Sequence, residues 1–132
     1  MTRDYYLLDT HALIFWHNQV SLSKEFLDFL DKQEQIGTLH VSSISFWEIA
    51  LLVKKQKLAL PDVHAWKNEL LNNTHITIIE PSVTEMINST LLPDYHKDPF
   101  DRLLIAQATQ HDLILVTQDQ YIEKYEVKRL WR

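Results

Sequence analysis

Two aspartates three residues apart, Asp98 and Asp101, flank a proline in HKDPFDRLLIAQA (residues 96 to 108), just before an apolar run with helical spacing. Asp98 suits a helix N-cap, Pro99 the first turn, and Asp101 the positive helix end, so helix initiation alone accounts for all three. Three further acids stand at comparable places. Asp9 ends YYLLD, Glu48 lies three residues after HVSSIS, and Asp119 is separated from LILVT by Gln118 alone. Each also has a structural use, as a cap, a first-turn acid or a turn residue. If Asp9, Glu48, Asp101 and Asp119 converge, however, they repel one another strongly unless a cation sits among them. Oxygen ligands suit Mg²⁺ or Mn²⁺, and the chemistry that follows is metal-assisted phosphodiester hydrolysis.

Convergence depends on the elements that carry the acids. Residues 5–9, 40–45, 76–80, 113–117 and 126–131 read as short strands, several too uniformly apolar to face water on one side. Helical periodicity fills the intervals at 10–18, 23–33, 45–56, 63–73, 82–91 and 100–112. Ser23 and Ser82 are plausible N-caps, and Gly37 lies in the connection after the second helix. Residues 46–75 carry two consecutive helices, separated near Leu60-Pro61-Asp62, which predict a clip or cap beside the sheet. Short apolar strands alternating with amphipathic helices predict an α/β protein with a three-layer α/β/α architecture and a central, mostly parallel sheet. In such a sheet ligands bind beyond the carboxyl ends of the strands, where the four acids are expected.

The 132 residues, 45% hydrophobic and 23% charged, predict one ordered domain spanning 1–132. The absence of cysteine excludes disulfides, thiolate zinc sites and cysteine nucleophiles, and fits a reducing compartment. A single glycine excludes glycine-rich nucleotide loops. Seven histidines show no paired zinc-ligand spacing; His11 is expected to orient the first loop and His96 to pack or hydrogen-bond near the Asp98 turn. The apolar N-terminal stretch is interrupted by Asp9, Thr10 and His11, so no membrane span is expected and the protein is read as cytoplasmic. A net charge of −5 gives no global attraction to nucleic acid, and the clusters Lys54, Lys55, Lys57 and Lys128, Arg129, Arg132 read as solvated faces. Trp16, Trp47, Trp66, Phe15 and Phe46, all in helical segments, read as core or interface aromatics.

YYLLDTHALIFW, VSSISFWEIALLVKK, HKDPFDRLLIAQA and LILVTQD, in this order between residues 5 and 119, resemble the PIN domain, specifically VapC-like ribonuclease toxins of type II toxin–antitoxin systems. The resemblance implies that Asp9, Glu48, Asp101 and Asp119 are the metal-binding, catalytic acids for Mg²⁺ or Mn²⁺, with Asp119 reaching the ion directly or through water. It places Asp98 and Thr117 close to the site. Arg102, beside Asp101, is open to either a phosphate contact or pairing with a carboxylate. The resemblance further implies an RNA substrate, a cognate antitoxin whose tail crosses the acidic cleft, and a homodimer. Two other readings compete. One is a non-catalytic PIN-like RNA- or protein-binding module. The other is a phosphatase or receiver-type domain, disfavoured because Thr10 and His11, rather than a second acid, follow Asp9.

Overall fold

The computed structural model describes residues 3–132. In chain order the elements are β1 (Tyr6–Leu8), α1 (Thr10–Asn18), α2 (Lys24–Gln35), β2 (Leu39–Ser42), α3 (Ser43–Lys54), α4 (Val63–Asn73), β3 (Thr77–Ile79), α5 (Val83–Leu91), α6 (Pro99–His111), β4 (Ile114–Val116), a 3-10 turn (Gln120–Lys124) and β5 (Arg129–Leu130). The five strands form one sheet in the order β3-β2-β1-β4-β5, and every neighbouring pair is parallel. Leu8 registers with Val41 on one side and Val116 on the other.

Alternation along β1 divides the core. Tyr6 and Leu8 enter a cluster with Leu13, Phe26, Leu30, Ile49 and Trp66 from the first four helices, while Leu7 enters a second cluster with Leu104, Ile105 and Ala108 of α6. Successive strand residues point to opposite faces, so a strand covered on both sides must be apolar throughout, as YLL is. The three layers follow directly. The connection after α2 turns at Gly37, whose φ of 77° lies in the left-handed region that glycine occupies without Cβ strain.

Ser23, Asp62, Ser82 and Asp98 each cap the helix that follows them, and Ser82 with Glu85 completes a reciprocal capping box. Most limits shift by one or two residues from the sequence expectation, and two strands depart further. The strand expected over 40–45 stops at Ser42, because the Ser42 hydroxyl accepts the Ile44 N–H at 3.2 Å and starts α3 at Ser43. Glu48 therefore sits in the second turn of α3 rather than the first. The strand expected over 126–131 contracts to Arg129 and Leu130, an edge strand with a neighbour on one side only. Trp16 and Trp66 are buried as expected, whereas Trp47 is exposed.

Leu7, with no exposed surface, is the central strand's link to the α6 layer. Leu7→Ala should cost about 3 kcal/mol, the usual range for a buried leucine truncation. Urea unfolding should show this as a lower midpoint at unchanged slope.

Candidate active site

The strand order reverses direction at β1: the chain proceeds from β1 to β2 on one side, and β4 is added on the other. The loops that leave β1 and β4 thus diverge and open a crevice at the carboxyl edge. Asp9 and Thr117 stand at its floor. The Asp9 N–H donates to Val116 O at 3.0 Å, and Asp9 Oδ1 accepts the Ala12 N–H at 2.7 Å, capping α1. Thr117 Oγ1 accepts the Asp119 N–H at 3.1 Å, which leaves its own proton to donate to the Asp9 carboxylate. Burial raises the Asp9 pKa, the hydrogen bonds from Thr117 and Ala12 oppose the rise, and the Asp119 charge adds to it.

Asp101 arrives from α6. Asp98 Oδ1 accepts the N–H groups of Phe100 and Asp101 at 2.8 and 3.3 Å, so the cap that starts the helix also sets the direction of the Asp101 side chain. The Asp101 carboxyl is pushed up to about 7, first by burial, then by Asp98, with Asp9 and Glu48 adding and His96 opposing. Glu48 is raised by burial, with Asp98 and Asp9 adding and the Thr10 hydroxyl and His11 opposing. Asp9, Glu48 and Asp101 therefore all lie within electrostatic reach of one another's neighbourhood, and Asp119 joins them through Asp9. A recess of about 350 Å³ is lined by Asp9, His11, Asp101, Thr117 and Asp119.

His96 is closer to the acids than its sequence position suggested. Its Nδ1 accepts the Asp98 N–H at 3.1 Å, at the turn where it was expected. That bond leaves Nε2 as the proton-bearing nitrogen, and Nε2 lies 2.5 Å from Asp119 Oδ2 and 3.1 Å from Asp101 Oδ2. The imidazole thus bridges two acids from different elements. The only sequence signal was its two-residue separation from Asp98. An imidazole nitrogen and one oxygen each from Asp101 and Asp119 fall within 4.8 Å of one another. The oxygens of Asp101 and Asp119, with those of Asp9 and Glu48 whose ionisation burial and like charge suppress, are the hard donors a divalent cation takes, while the proton-bearing Nε2 serves them as a hydrogen-bond donor.

Arg102 has a carboxylate partner, though not Asp101, and gives most of its donors to backbone carbonyls. Its side chain is buried, and it donates to Ser89 O at 3.1 Å, Leu92 O at 2.8 Å, Pro93 O at 3.0 Å and His96 O at 2.9 Å. Its one carboxylate neighbour, Asp94, is 3.5 Å away and 93% exposed, which adds little. The planar guanidinium fork gathers the end of α5 and the loop to α6, and so holds the segment that carries His96.

The PIN domain family profile matches residues 6–128. The chain belongs to the PIN-domain family. It is 32% identical over 128 residues to Ribonuclease VapC22 of Mycobacterium tuberculosis, covering 93% of each chain. Among solved structures, the DNA-bound VapBC from Salmonella typhimurium has a TM-score of 0.72 at 15% identity, covering 97% of this chain and 98% of that one. A toxin–antitoxin complex from Klebsiella pneumoniae has a TM-score of 0.66 at 19% identity, covering 96% of both. At these identities the two structures carry the fold, and the PIN-type α/β/α sandwich is the architecture seen here.

Two predictions follow from the geometry of this PIN domain. Arg102→Met keeps the buried stem but takes this donor from the carbonyls of Ser89, Leu92 and His96, Pro93 O keeping the Tyr125 hydroxyl, and should cost about 3 kcal/mol in chemical unfolding. Asp101 is protonated more readily in the folded chain than at its ordinary value of 3.8. Its contribution to stability is therefore fully present below about pH 4 and is lost as pH rises through about 7. Metal-free protein should melt at a lower temperature at pH 8 than at pH 5, and Asp101→Asn should flatten that difference.

Proposed function

We propose that this chain is an Mg²⁺- or Mn²⁺-dependent endoribonuclease and the toxin of a type II toxin–antitoxin pair. What supports the reading is that Asp9, Asp101 and Asp119 line one recess at the carboxyl edge of the sheet, with Glu48 in electrostatic reach of Asp9, in a chain alike over 93% of its length to Ribonuclease VapC22. These four side chains would hold the cation. When bound, it supplies an activated water nucleophile and charge compensation for the phosphodiester.

The chain's own residues do the positioning. Asp98 aims Asp101 through the α6 cap, Thr117 holds Asp9 on one side and the Asp119 backbone on the other, and His96 ties Asp119 to Asp101. Arg102 acts on the site through the loop it holds and not by touching substrate. The VapBC and toxin–antitoxin complexes share this fold, and an arginine from an antitoxin tail would pair bidentately with the same carboxylates that otherwise receive the cation. Inhibition would then be competition for the acids. Among the described residues no helix is long and apolar enough to cross a membrane. Action on cytoplasmic RNA by a homodimer completes the proposal.

Purified wild-type protein should cleave single-stranded RNA with Mg²⁺ or Mn²⁺. Asp101→Asn should lose more than about 100-fold, since even an outer partner of a metal ligand is worth about 10- to 100-fold. Asp98→Ala should cost about 1 kcal/mol of stability through the cap and leave more cleavage than Asp101→Asn does. Full cleavage by Asp101→Asn would remove the assignment. Mn²⁺ at a hundredfold excess over its dissociation constant should stabilise the wild type by about 2.7 kcal/mol. That gain should shrink in Asp9→Asn and Asp101→Asn, and an equal gain in all three would mean that the acids share no cation.

A further inference from the structure

A strongly acidic crevice repels the phosphates it must receive, so the substrate's approach needs an attraction from outside the four acids. One candidate stands beside Asp119. The carboxylate whose Oδ2 meets His96 also accepts the Tyr121 N–H through Oδ1 at 2.9 Å, and so starts the 3-10 turn that carries Tyr121 and Lys124. Tyr121 is 58% exposed, while Ile122 and Tyr125 of the same segment are buried in the second core. The fold uses the two inward residues and leaves the Tyr121 ring in solvent.

A second aromatic ring faces the same space from the other segment of the site. Tyr95, adjacent to His96 and 50% exposed, packs edge-on against Tyr125 with ring centroids 5.2 Å apart. Its backbone is held from two sides. The Tyr125 hydroxyl donates to Pro93 O at 2.7 Å and accepts the His96 N–H at 2.8 Å, while Arg102 takes Pro93 O and His96 O. Lys124 Nζ lies 5.3 Å from the Tyr121 ring and 5.7 Å from the Tyr95 ring. Lys97, also exposed, follows His96 and lines a neighbouring recess of about 580 Å³.

Two exposed rings with a cation between them, suspended from residues that touch the acids, match the needs of a single-stranded nucleic acid. The rings offer π faces to unstacked bases and the ammonium offers charge to the backbone. We propose that Tyr121, Tyr95 and Lys124 form a base-stacking subsite for single-stranded RNA beside the catalytic acids, a proposal that rests on the ribonuclease reading. An exposed cation–π contact is the weaker partner of a tyrosine face, so an arriving base displaces Lys124 from the rings and the lysine turns to a phosphate. The charge argues against a docked apolar helix, which would gain nothing from the ammonium. Stacking tolerates any base, so this subsite supplies affinity and placement of the strand and leaves sequence choice to other contacts.

The test uses full-length protein in an Asp101→Asn background and a labelled single-stranded RNA of about twelve nucleotides, within the range that one such groove accommodates. Anisotropy should show Tyr121→Ala and Tyr121→Leu weakening binding about tenfold, with Tyr121→Phe within about twofold of the parent, because Phe keeps the π face and Leu does not. Lys124→Ala should reduce the slope of log affinity against log salt by about 0.7, the share of one phosphate on a single strand. Thermal melts confirm that each exposed substitution leaves the fold intact. Unchanged affinity in Tyr121→Ala and Tyr121→Leu overturns the subsite. So does loss of homodimer or of antitoxin binding at unchanged RNA affinity, which gives the surface to a protein partner. Cleavage of the same RNA by the wild type, read on a gel, reports the ribonuclease reading separately.

Discussion

The mutual repulsion of carboxylates held at the β1/β4 edge is the constraint around which the other features of this chain are arranged. Burial and like charge act in the same direction on Asp9, Glu48 and Asp101, raising all three. A fold under selection for stability alone would place apolar or singly paired residues there. Local hydrogen bonds offset part of the cost: Ala12 and Thr117 on Asp9, Thr10 on Glu48, and His96 against Asp101 and Asp119. None of them removes it, and the remaining repulsion is what favours a cation. Strain of this kind at a functional site, supported by well-capped helices elsewhere, is the usual division between function and stability.

The supporting structure is built to keep the acids from moving apart. Asp98 and Asp119 each cap the element that follows, so the carboxylates that face the crevice lie at element starts with defined backbone direction. Arg102 and Tyr125 take four backbone positions between Ser89 and His96 into fixed hydrogen bonds, turning a connection between two helices into a rigid arm. The same arm and the 3-10 turn after Asp119 carry the exposed tyrosines, so geometry at the acids and geometry at the rim are set together. Preorganisation of this type lowers the ordering cost of binding substrate.

Much of this was legible in local sequence. The limits of α1 and α4, the caps at Ser23 and Ser82, the glycine turn and the two-faced apolar strand β1 all express periodicity or turn chemistry within a few residues. The places of Asp9 and Asp119 followed from strand ends and the rule for parallel sheets, and that of Asp101 from the helix start in DPFD. What escaped was long-range or competitive. Ser42 was read as strand interior because its cap to Ile44 competes with continued strand pairing, and that moved Glu48 into the second helical turn. Arg102 was read from its neighbour Asp101, whereas its partners lie six to thirteen residues upstream and are backbone carbonyls, which no residue type announces. His96 reaches Asp119 across 23 residues of chain, a contact that exists only once β4 has paired with β1.

Asp101 stands in a half-buried cluster of like charges, and its carboxyl is the direct observable both of that repulsion and of the proposed relief by a divalent ion. Carbon-13 labelling of aspartate side chains and an NMR titration of metal-free protein should give Asp101 a midpoint of about 7, and addition of Mg²⁺ should move that midpoint down toward the ordinary carboxylate range. A metal-free midpoint near 4, unmoved by Mg²⁺, would contradict the account.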